Sequence, residues 1–510
     1  MSDPRWIAAF AQVPGLAAQH VLLAAAALGL ALFISLPLAL AARRRPRLRA
    51  TALAAAGLVQ TIPGLALLAL FYPLLLALSA LLGGGVPALG FLPSLLALTV
   101  YAVLPILRNA LAALAGLDPA VLQAADGMGM TAAQKLRLVE APLAAPVAMA
   151  GVRTAAVWTI GTATLATTVG QPSLGNLIFA GLQTENWVLV VAGCVAAAGL
   201  ALAADGLLAL IERGLAARRR LPLWLGLAGI AFGLAGAALP LAPRGDRPTI
   251  TVGAKNFSEQ FILARVIGAR LERAGYRVRY SEGLGSGVAW RALGQGDIDV
   301  YVDYSGTLWA NAMGRRDTPP AARMNEEIGR WAWTTAGVTV LGSLGFENAY
   351  ALAMRGDRAR ALGIASMADL ARAAPQLTLG ADLEFLDRPE WAAIRSAYRL
   401  RFAATRAYAP SFMYRALASG QADVISAFSS DGRIAADGLI VLADPAHAVP
   451  AYDALLLVGH RAGGDPAIRA ALGPLIGAIP VARMRTANYL VDRDADKKSP
   501  AEAAGWLLPE

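Results

Sequence analysis

Six apolar runs, each long enough to cross a lipid bilayer, fill the first half of this chain and leave it few folds to choose from. They fall near residues 19–41, 52–81, 88–115, 145–168, 187–211 and 222–242. A span needs about 20 apolar residues. Backbone in lipid must satisfy its own hydrogen bonds, so each run is expected to be a helix. The first run does not read as a cleaved leader: it is long, lacks a basic stretch before it, and runs straight into Arg43-Arg44-Arg45-Pro46-Arg47-Leu48-Arg49.

Orientation follows from the loops. The 42–50 loop holds five arginines and the 212–220 turn holds Arg213, Arg218, Arg219 and Arg220, while loops 82–87 and 169–186 hold no basic residue. Basic loops stay in the cytoplasm, so both ends of the six-span unit are expected outside. Arg108 and Arg153 lie near cytoplasmic ends, where snorkelling explains them. Asp205 lies deeper and reads either as a functional intramembrane acid or as one half of a helix–helix pair. The stretch 171–186 is too short to cross.

Charge separates the halves. Residues 1–247 carry 16 Lys+Arg against 8 Asp+Glu, and residues 248–510 carry 29 against 27, so the basic pI belongs to the membrane half. Nucleic-acid binding, which needs a basic soluble face, is thereby excluded. The single cysteine, Cys194, sits in an apolar run and reads as a buried, inert thiol. His20, His447 and His460 show no metal-ligand spacing, and no catalytic Ser/His/Asp set is evident.

The longest polar run inside the membrane half is QAADGMGMTAAQKLRLVEAP, residues 123–142. Gly127 and Gly129 break it, TAAQKLRLVE restarts it, and Pro142 is expected to stop it. It reads as two short helices joined by a glycine bend, on the cytoplasmic side. A bent, exposed helix of this kind suits a partner's groove.

After a tether at 244–248 the pattern becomes alternating strands and helices, so residues 1–243 and 249–510 are expected to be separate domains. Strand 249–254 leads to a helix at 258–275 with Ser258 as its cap, then strand 277–282, a glycine-rich turn, a helix and a further strand. Such βαβ alternation implies an α/β domain that binds ligands at strand carboxyl ends. Two stretches 124 residues apart match in register: Trp290-Arg291-Ala292-Leu293, Gly296, Asp299-Val300, Tyr304-Ser305, and Tyr414-Arg415-Ala416-Leu417, Gly420, Asp423-Val424, Phe428-Ser429. A duplicated helix–strand unit fits a two-lobed clam whose lobes each offer an aromatic to a shared cleft. The second lobe is expected over about 352–452, with chain crossings near Tyr350 and Tyr452, and two crossings make a hinge.

Candidate cleft aromatics are Phe257, Tyr304, Phe346, Tyr350, Phe385, Phe428 and Tyr452. Converging rings hold a desolvated cation, each face contributing about 0.5–2 kcal/mol. Three or four supply much of the roughly 8 kcal/mol that micromolar affinity requires. A quaternary ammonium, which offers no hydrogen bonds, fits such a box best. Gln260, near a helix N-terminus, lies where an anion is favoured. Arg388 either holds a carboxylate with both arms or pairs with Asp387 or Glu390 on the surface. Asp303 either opposes the ammonium charge or faces solvent.

These stretches resemble a known family. Gln123-Ala124-Ala125, Gly129 and Val139-Glu140-Ala141-Pro142 resemble the coupling loop of bacterial ABC importer permeases, with Gln123 where Glu is usual and Ala141 where Leu is usual. The resemblance implies that this loop fits a cleft on an ATPase subunit. GAKNFSEQ (253–260), YVDYSGT (301–307), GFENAYALAM (345–354), EFLDRPEW (384–391) and FSSDGRI (428–434) look like the binding proteins for glycine betaine, choline, carnitine and related osmoprotectants. Fused proteins of this group also import ergothioneine. By that resemblance Tyr304, Phe428 and Tyr452 belong to an aromatic cage, and Gln260, Ser286 and Arg388 contact the ligand's other end. Phe428 stands where Tyr is common and Ser430 where Thr is common.

The expected fold is therefore an all-α membrane permease of six transmembrane helices, followed by an α/β two-lobed domain like periplasmic binding proteins. The expected role is an importer subunit in the bacterial cytoplasmic membrane, its C-terminal domain outside. No G-x-x-x-x-G-K-[ST] occurs, so ATP would be used by a separate ATPase dimer, with the permease pairing with itself. The chain itself is expected to need no cofactor and no metal. An amino acid or other polar cargo is the alternative. A membrane-anchored sensor would need a cytoplasmic output domain, which residues 1–510 do not contain.

Overall fold

A computed structural model describes residues 4–83, 85–184, 186–239, 247–408, 410–493 and 495–508. It divides into two compact units, Met1–Gly181 with Trp187–Gly245, and Leu182–Asn186 with Asp246–Glu510. The tether expected at 244–248 lies outside the described residues as far as residue 246.

The first unit consists of helices α1 (Pro4–Ala42), α2 (Pro46–Thr61), α3 (Gly64–Leu81), α4 (Phe91–Ala115), α5 (Pro119–Gly127), α6 (Ala132–Lys135), α7 (Ala141–Ala163), α8 (Gly175–Gln183), α9 (Trp187–Ala216) and α10 (Arg220–Ala238). Among the described residues, six stretches are long and apolar enough to cross a membrane. Helix α4 packs between α1 and α7. The α4–α7 approach depends on a glycine: a Cβ on Gly151 would lie 2.5 Å from the Pro105 carbonyl. Small residues at such crossings let helices reach van der Waals contact where lipid supplies no hydrophobic drive. Phe33, Leu202 and Phe232 point outward, as side chains facing lipid do. Cys194 is also exposed, so the expectation of a buried thiol is wrong: an apolar run says that a helix meets lipid, not which of its faces does.

Two helix boundaries differ from expectation. The run at 52–81 is not one helix, because Pro63 forces Ile62 into an extended conformation and splits it into α2 and α3. The Ile62 carbonyl freed by the break accepts from the Tyr101 hydroxyl, which supplies the partner that lipid cannot. Pro142 does not stop the helix either. A π-helical turn, Leu136–Glu140, joins α6 directly to α7. The Ala141 N–H reaches back to the Leu136 carbonyl, widening the turn just before the proline.

Charge inside the first unit is paired. Arg153 on α7 grips Asp205 on α9 with two bonds of 2.8 and 2.7 Å and reaches Glu212 at 2.8 Å. This settles the two readings of Asp205 for helix pairing, and Arg153 does not snorkel. His20 on α1 is buried, with Nε2 2.9 Å from the Ile160 carbonyl and Nδ1 accepting the Leu174 N–H at 3.3 Å. Those partners place the proton on Nε2.

The second unit carries two five-stranded sheets. Its strands are β1 (Thr249–Lys255), β2 (Arg277–Leu284), β3 (Val300–Tyr304), β4 (Thr339–Glu347), β5 (Tyr350–Arg355), β6 (Thr378–Ala381), β7 (Ala404–Ala407), β8 (Val424–Phe428), β9 (Leu439–Val441) and β10 (Asp453–Val458). The sheet orders are β2-β1-β3-β10-β4 and β7-β6-β8-β5-β9. In each, three strands run parallel at one side, β2-β1-β3 and β7-β6-β8, and an antiparallel strand, β10 or β5, follows.

The sequence repeat maps onto this symmetry down to single bonds. Asp299 accepts the Thr251 N–H at 2.8 Å and returns its own N–H to the Thr251 carbonyl at 2.8 Å. Asp423 does the same with Thr378, at 2.9 and 2.9 Å. Gly296 and Gly420 both adopt left-handed φ angles, +79° and +74°, that end the preceding helices. Helix α11 (Ser258–Arg273) begins after Phe257 rather than Ser258. Ser258 therefore does not cap it, and its hydroxyl bonds Asp492 instead.

Candidate functional site

The strand ends that meet at the two chain crossings carry most of the expected aromatics. Tyr350 and Phe428 are direct partners across the antiparallel β5–β8 ladder, and their rings lie 4.7 Å apart. Close cross-strand pairing of this kind is what makes sheet faces adhere. Phe385 comes from the short helix Leu383–Asp387 after β6, whose first turn is capped by Asp382, and lies 5.2 Å from Tyr350. Tyr452, just before β10, meets Tyr350 edge-on at 5.9 Å and 89°. Trp391 backs Phe385 at 5.5 Å.

Tyr452 is held from the other sheet as well. Its ring lies on Gly306, where a Cβ would come within 2.5 Å of it. Ser305 accepts the Asp453 N–H at 2.9 Å and donates to the Ala451 carbonyl at 2.9 Å. The Asn348 N–H donates to the Tyr452 carbonyl at 2.9 Å, joining the two crossings.

A cation already sits on these rings. The Arg388 guanidinium lies 5.1 Å from the centre of the Tyr350 ring. Arg388 pairs with Glu390 at 3.8 Å, and side-chain exposures of 9% and 2% place that pair inside the molecule, not on a surface. Glu390 also accepts the Tyr452 hydroxyl, and its second oxygen, Oε2, is buried with no hydrogen-bond partner among the described residues. Burial first, then the Glu390 charge, drives the Tyr452 phenol far above its ordinary range, so it stays a donor.

Tyr304 belongs to a second, more polar cluster. Its ring stacks with Phe257 at 6.2 Å and carries the Lys255 ammonium 5.1 Å from its centre. Gln260 does not reach for an anion: its oxygen takes the Lys255 N–H at 3.3 Å and its amide donates to the Tyr304 hydroxyl at 3.1 Å. Tyr304 in turn donates to Glu259. Asp303 neither faces solvent nor stands open. Its carboxylate holds the Lys255 ammonium, the Tyr301 hydroxyl at 2.7 Å and the Tyr304 N–H at 2.8 Å.

Ser286 is half-buried at the start of helix α12 (Ser286–Gln295), and Phe346 is buried in the core of the unit. Tyr350, Phe385, Phe428, Tyr452 and Arg388 thus form one group, while Tyr304, Gln260 and Asp303 form another. Lys255, Glu259 and Asn348 join the groups as well, as does Glu390, expected only as a surface partner of Arg388. Each lies within two positions of an expected site residue, and that proximity is the signal the chain offers.

Three acids lie near one another, the buried Glu259 and the half-buried Asp431 and Asp492. Burial raises the Glu259 carboxyl, against bonds from Ser430, Tyr304, Asn488 and Asn348 that favour its charge. Burial also pushes Asp492 up to about 7 and Asp431 up to about 6.

In the first unit, Gln123 and Ala124 are exposed and Ala125 is buried, and Gly129 turns with φ +74°. Thr131 and Gln134 form a capping box that starts α6. Lys135 reaches back to Asp126 at 2.6 Å and closes the bend. Glu140 is buried and pairs with Arg43 on the neighbouring loop, so it holds the segment down, and Pro142 is exposed. Val121, Met128 and Leu138 stand outward as apolar knobs.

Residues 248–508 match the family described as the substrate-binding domain of ABC-type glycine betaine transport systems, and residues 14–217 match the inner-membrane component of binding-protein-dependent transport systems. An ergothioneine transport permease/ergothioneine binding protein of Helicobacter pylori (strain G27) is 29% identical over 422 residues, covering 80% of this chain and 74% of that protein. A choline transport system permease protein of Bacillus subtilis (strain 168) is 42% identical over 165 residues, 32% of this chain and 70% of that one. Among solved structures, a glycine betaine/carnitine/choline ABC transporter protein shares 26% identity over 50% of this chain and 96% of its own, with a TM-score of 0.46.

Proposed function

Because this chain belongs to the family of substrate-binding domains of ABC-type glycine betaine transport systems, fused to an inner-membrane transport component, we propose that its cargo is a methylated-ammonium solute that also carries a carboxylate. The chain is an importer permease and binding protein in one polypeptide, a multi-pass inner-membrane protein and not an enzyme.

The observation that carries the cargo reading is the guanidinium of Arg388 seated 5.1 Å from the Tyr350 ring centre, inside a group of four rings. A face that holds one cation desolvated will hold another. Closing lobes bring Tyr304 to the same solute from the other sheet, and the nearby Arg388 and Lys255 favour a solute with an anionic end. Glycine betaine, carnitine and ergothioneine meet both demands, and choline meets only the first.

The C-terminal domain lies outside the cytoplasm, where the loop charges put it. The bent segment 123–142 faces inward and docks on a separate ATPase through Val121, Met128 and Leu138. That subunit consumes the ATP and acts as a dimer, so two copies of this chain pair around it.

Calorimetry on the full chain in lipid nanodiscs tests the cargo, titrating glycine betaine, carnitine, ergothioneine, choline and arginine. The three zwitterions are expected to bind most tightly, and Tyr350→Ala to weaken them at least tenfold. Binding of arginine alone would refute the cage. Uptake into vesicles that occurs without an added ATPase would refute the ABC coupling.

A further inference from the structure

Glu259 has no place in the cage, yet bonds from Tyr304 and from beside Tyr350, Tyr452 and Phe428 converge on it. It lies one residue into the first turn of α11 and is 2% exposed. One carboxylate oxygen accepts the Tyr304 hydroxyl and the Asn348 amide at 3.0 Å, and the other accepts the Asn488 amide at 2.9 Å. The Ser430 side chain also lies near enough to favour its charge. These partners come from four places: the end of β3, the crossing between β4 and β5, the helix Val481–Asp492, and the turn after β8.

Each partner leads directly to a cage ring. Tyr304 is itself one. Asn348 donates its N–H to the carbonyl of Tyr452 and stands two residues before Tyr350. Ser430 stands two residues after Phe428, and its carbonyl takes the same Asn488 amide at 2.9 Å. The neighbouring Ser429 hydroxyl bonds both the Ala349 N–H, at 2.9 Å, and the Glu347 carbonyl, at 3.0 Å.

The Tyr304 hydroxyl and both amides donate to it, so the side chain between them acts as an acceptor at both ends. Asn348 and Asn488 turn their amide nitrogens to Glu259 and leave both Oδ1 atoms buried without a hydrogen-bond partner among the described residues. Buried polar atoms are rarely abandoned in this way. Two adjacent amides that each give up an oxygen show what sets their orientation.

We propose that Glu259 is a positioning residue, the latch that holds Tyr304 in register with the crossings carrying Tyr350 and Tyr452 and with the turn that follows Phe428. The consequence for binding rests on the cage reading above, whereas the latch itself does not. Solute affinity then depends on a side chain that never touches solute, because the rings of the two lobes share one acceptor.

The test is hydrogen exchange on the full chain in nanodiscs, read without solute. Glu259→Leu removes every acceptor and is expected to speed exchange about tenfold or more in both 346–352 and 428–436. Strands β6 and β7 are expected to stay as slow as in the parent. Glu259→Gln is expected to restore most of the protection, because its oxygen keeps Tyr304 and Asn348 and its amide can donate to a flipped Asn488. Rescue by an amide separates an acceptor role from simple space filling.

If Glu259→Leu leaves either segment at parental rates, or if Leu and Gln behave alike, the latch is overturned. Should Glu259→Leu loosen the whole unit, Asn488→Ala decides alone: faster exchange confined to 428–436 supports the latch, and parental exchange there refutes it. A chain that binds none of glycine betaine, carnitine or ergothioneine would sink the cargo reading and leave this result standing.

Discussion

The two units of this molecule answer acidic side chains differently: the membrane unit meets them with cations, whereas the binding unit does so at Asp303 and Glu390 but leaves a cluster of three acids to neutral groups. In the membrane unit the acids meet cations directly: Asp205 and Glu212 share Arg153, and Glu140 holds Arg43. In the binding unit Glu259, Asp431 and Asp492 take their closest bonds from neutral groups. Arg433 and Lys497 approach Asp492, but each bonds its backbone carbonyl, at 3.1 Å. Lipid offers no water to an unpaired charge, so ion pairs there act as fixed staples. A water-bounded unit can leave an acid among dipoles and let a proton settle the difference.

The sharpest way to break this contrast is to remove the cation from the membrane staple. Arg153→Met leaves Asp205 and Glu212 facing each other without compensation, and about 3–5 kcal/mol of stability is expected to go. Replacing both acids with Leu in the same chain is expected to recover most of it, since an apolar trio can substitute for a buried ion pair. Thermal unfolding in nanodiscs reads both. A triple variant as unstable as the single one would mean that the charges do more than neutralise one another.

The next largest effect is a pH dependence of the opposite unit. Asp492 titrates near 7 in the folded chain, above its ordinary unfolded value of about 3.9. A raised carboxyl binds its proton more tightly when folded, so its burial costs nothing below the unfolded value. The cost grows as pH rises from about 4 and levels off past about 7. Asp492→Asn removes a penalty on the order of 4 kcal/mol at pH 8 and little at pH 4. The groups facing this acid are Ser258 from α11, Asp431 and Arg433 from the second sheet's side, and Lys497 beyond its own helix. The exposed acids whose titration is depressed, such as Asp357 at about 2, act below this window. Equal melting shifts at pH 4.5 and pH 8 would show that Asp492 is not the titrating group.

A smaller effect separates the cage from its scaffold. Gly306→Ala drives a Cβ to 2.5 Å from the Tyr452 ring. Overpacking of this kind costs about 1–3 kcal/mol, and because the ring must move, solute affinity is expected to fall roughly tenfold for about each 1.4 kcal/mol carried into binding. Calorimetry with glycine betaine reads the affinity, and unchanged binding would place Tyr452 outside the cage.

How much of this was legible beforehand depended on the range of the contact that decides it. The six spans and the α/β alternation are periodic signals, carried within single elements. The repeat also survived translation, because Asp299 and Asp423 each cap a strand neighbour that topology brings alongside. Helix breaks were harder. Pro63 and Pro142 look alike in the sequence, yet one splits a helix and the other is absorbed by a π turn. What differs is whether a partner such as Tyr101 stands ready for the freed carbonyl.

Glu259 was invisible for a stronger reason. Its amide partners lie 89 and 229 residues away, so no local pattern could mark it, and it read only as the neighbour of Gln260. Gln260, in turn, had the position of an anion contact and proved to be a brace for Tyr304. A helix N-terminus advertises donors, and the sequence does not say whose acceptor arrives.

The smallest expected effect asks whether every ion pair of the membrane unit is a staple or only those sealed from solvent. Lys135 and Asp126 fasten the bend of the 123–142 segment at 2.6 Å, but the Asp126 side chain is 62% exposed. Water then competes for the pair, and exposed bridges contribute about 0–1 kcal/mol. Asp126→Asn is therefore expected to shift melting barely at all, since the bend keeps the left-handed Gly129 and the Thr131–Gln134 capping box. Adding Gly129→Ala should cost about 1–2 kcal/mol through backbone strain alone, because nothing lies within 4 Å of the added methyl. If Asp126→Asn instead cost as much as Arg153→Met, pairing itself and not seclusion from water would govern charge in this unit, and the contrast with the binding unit would lose its physical basis.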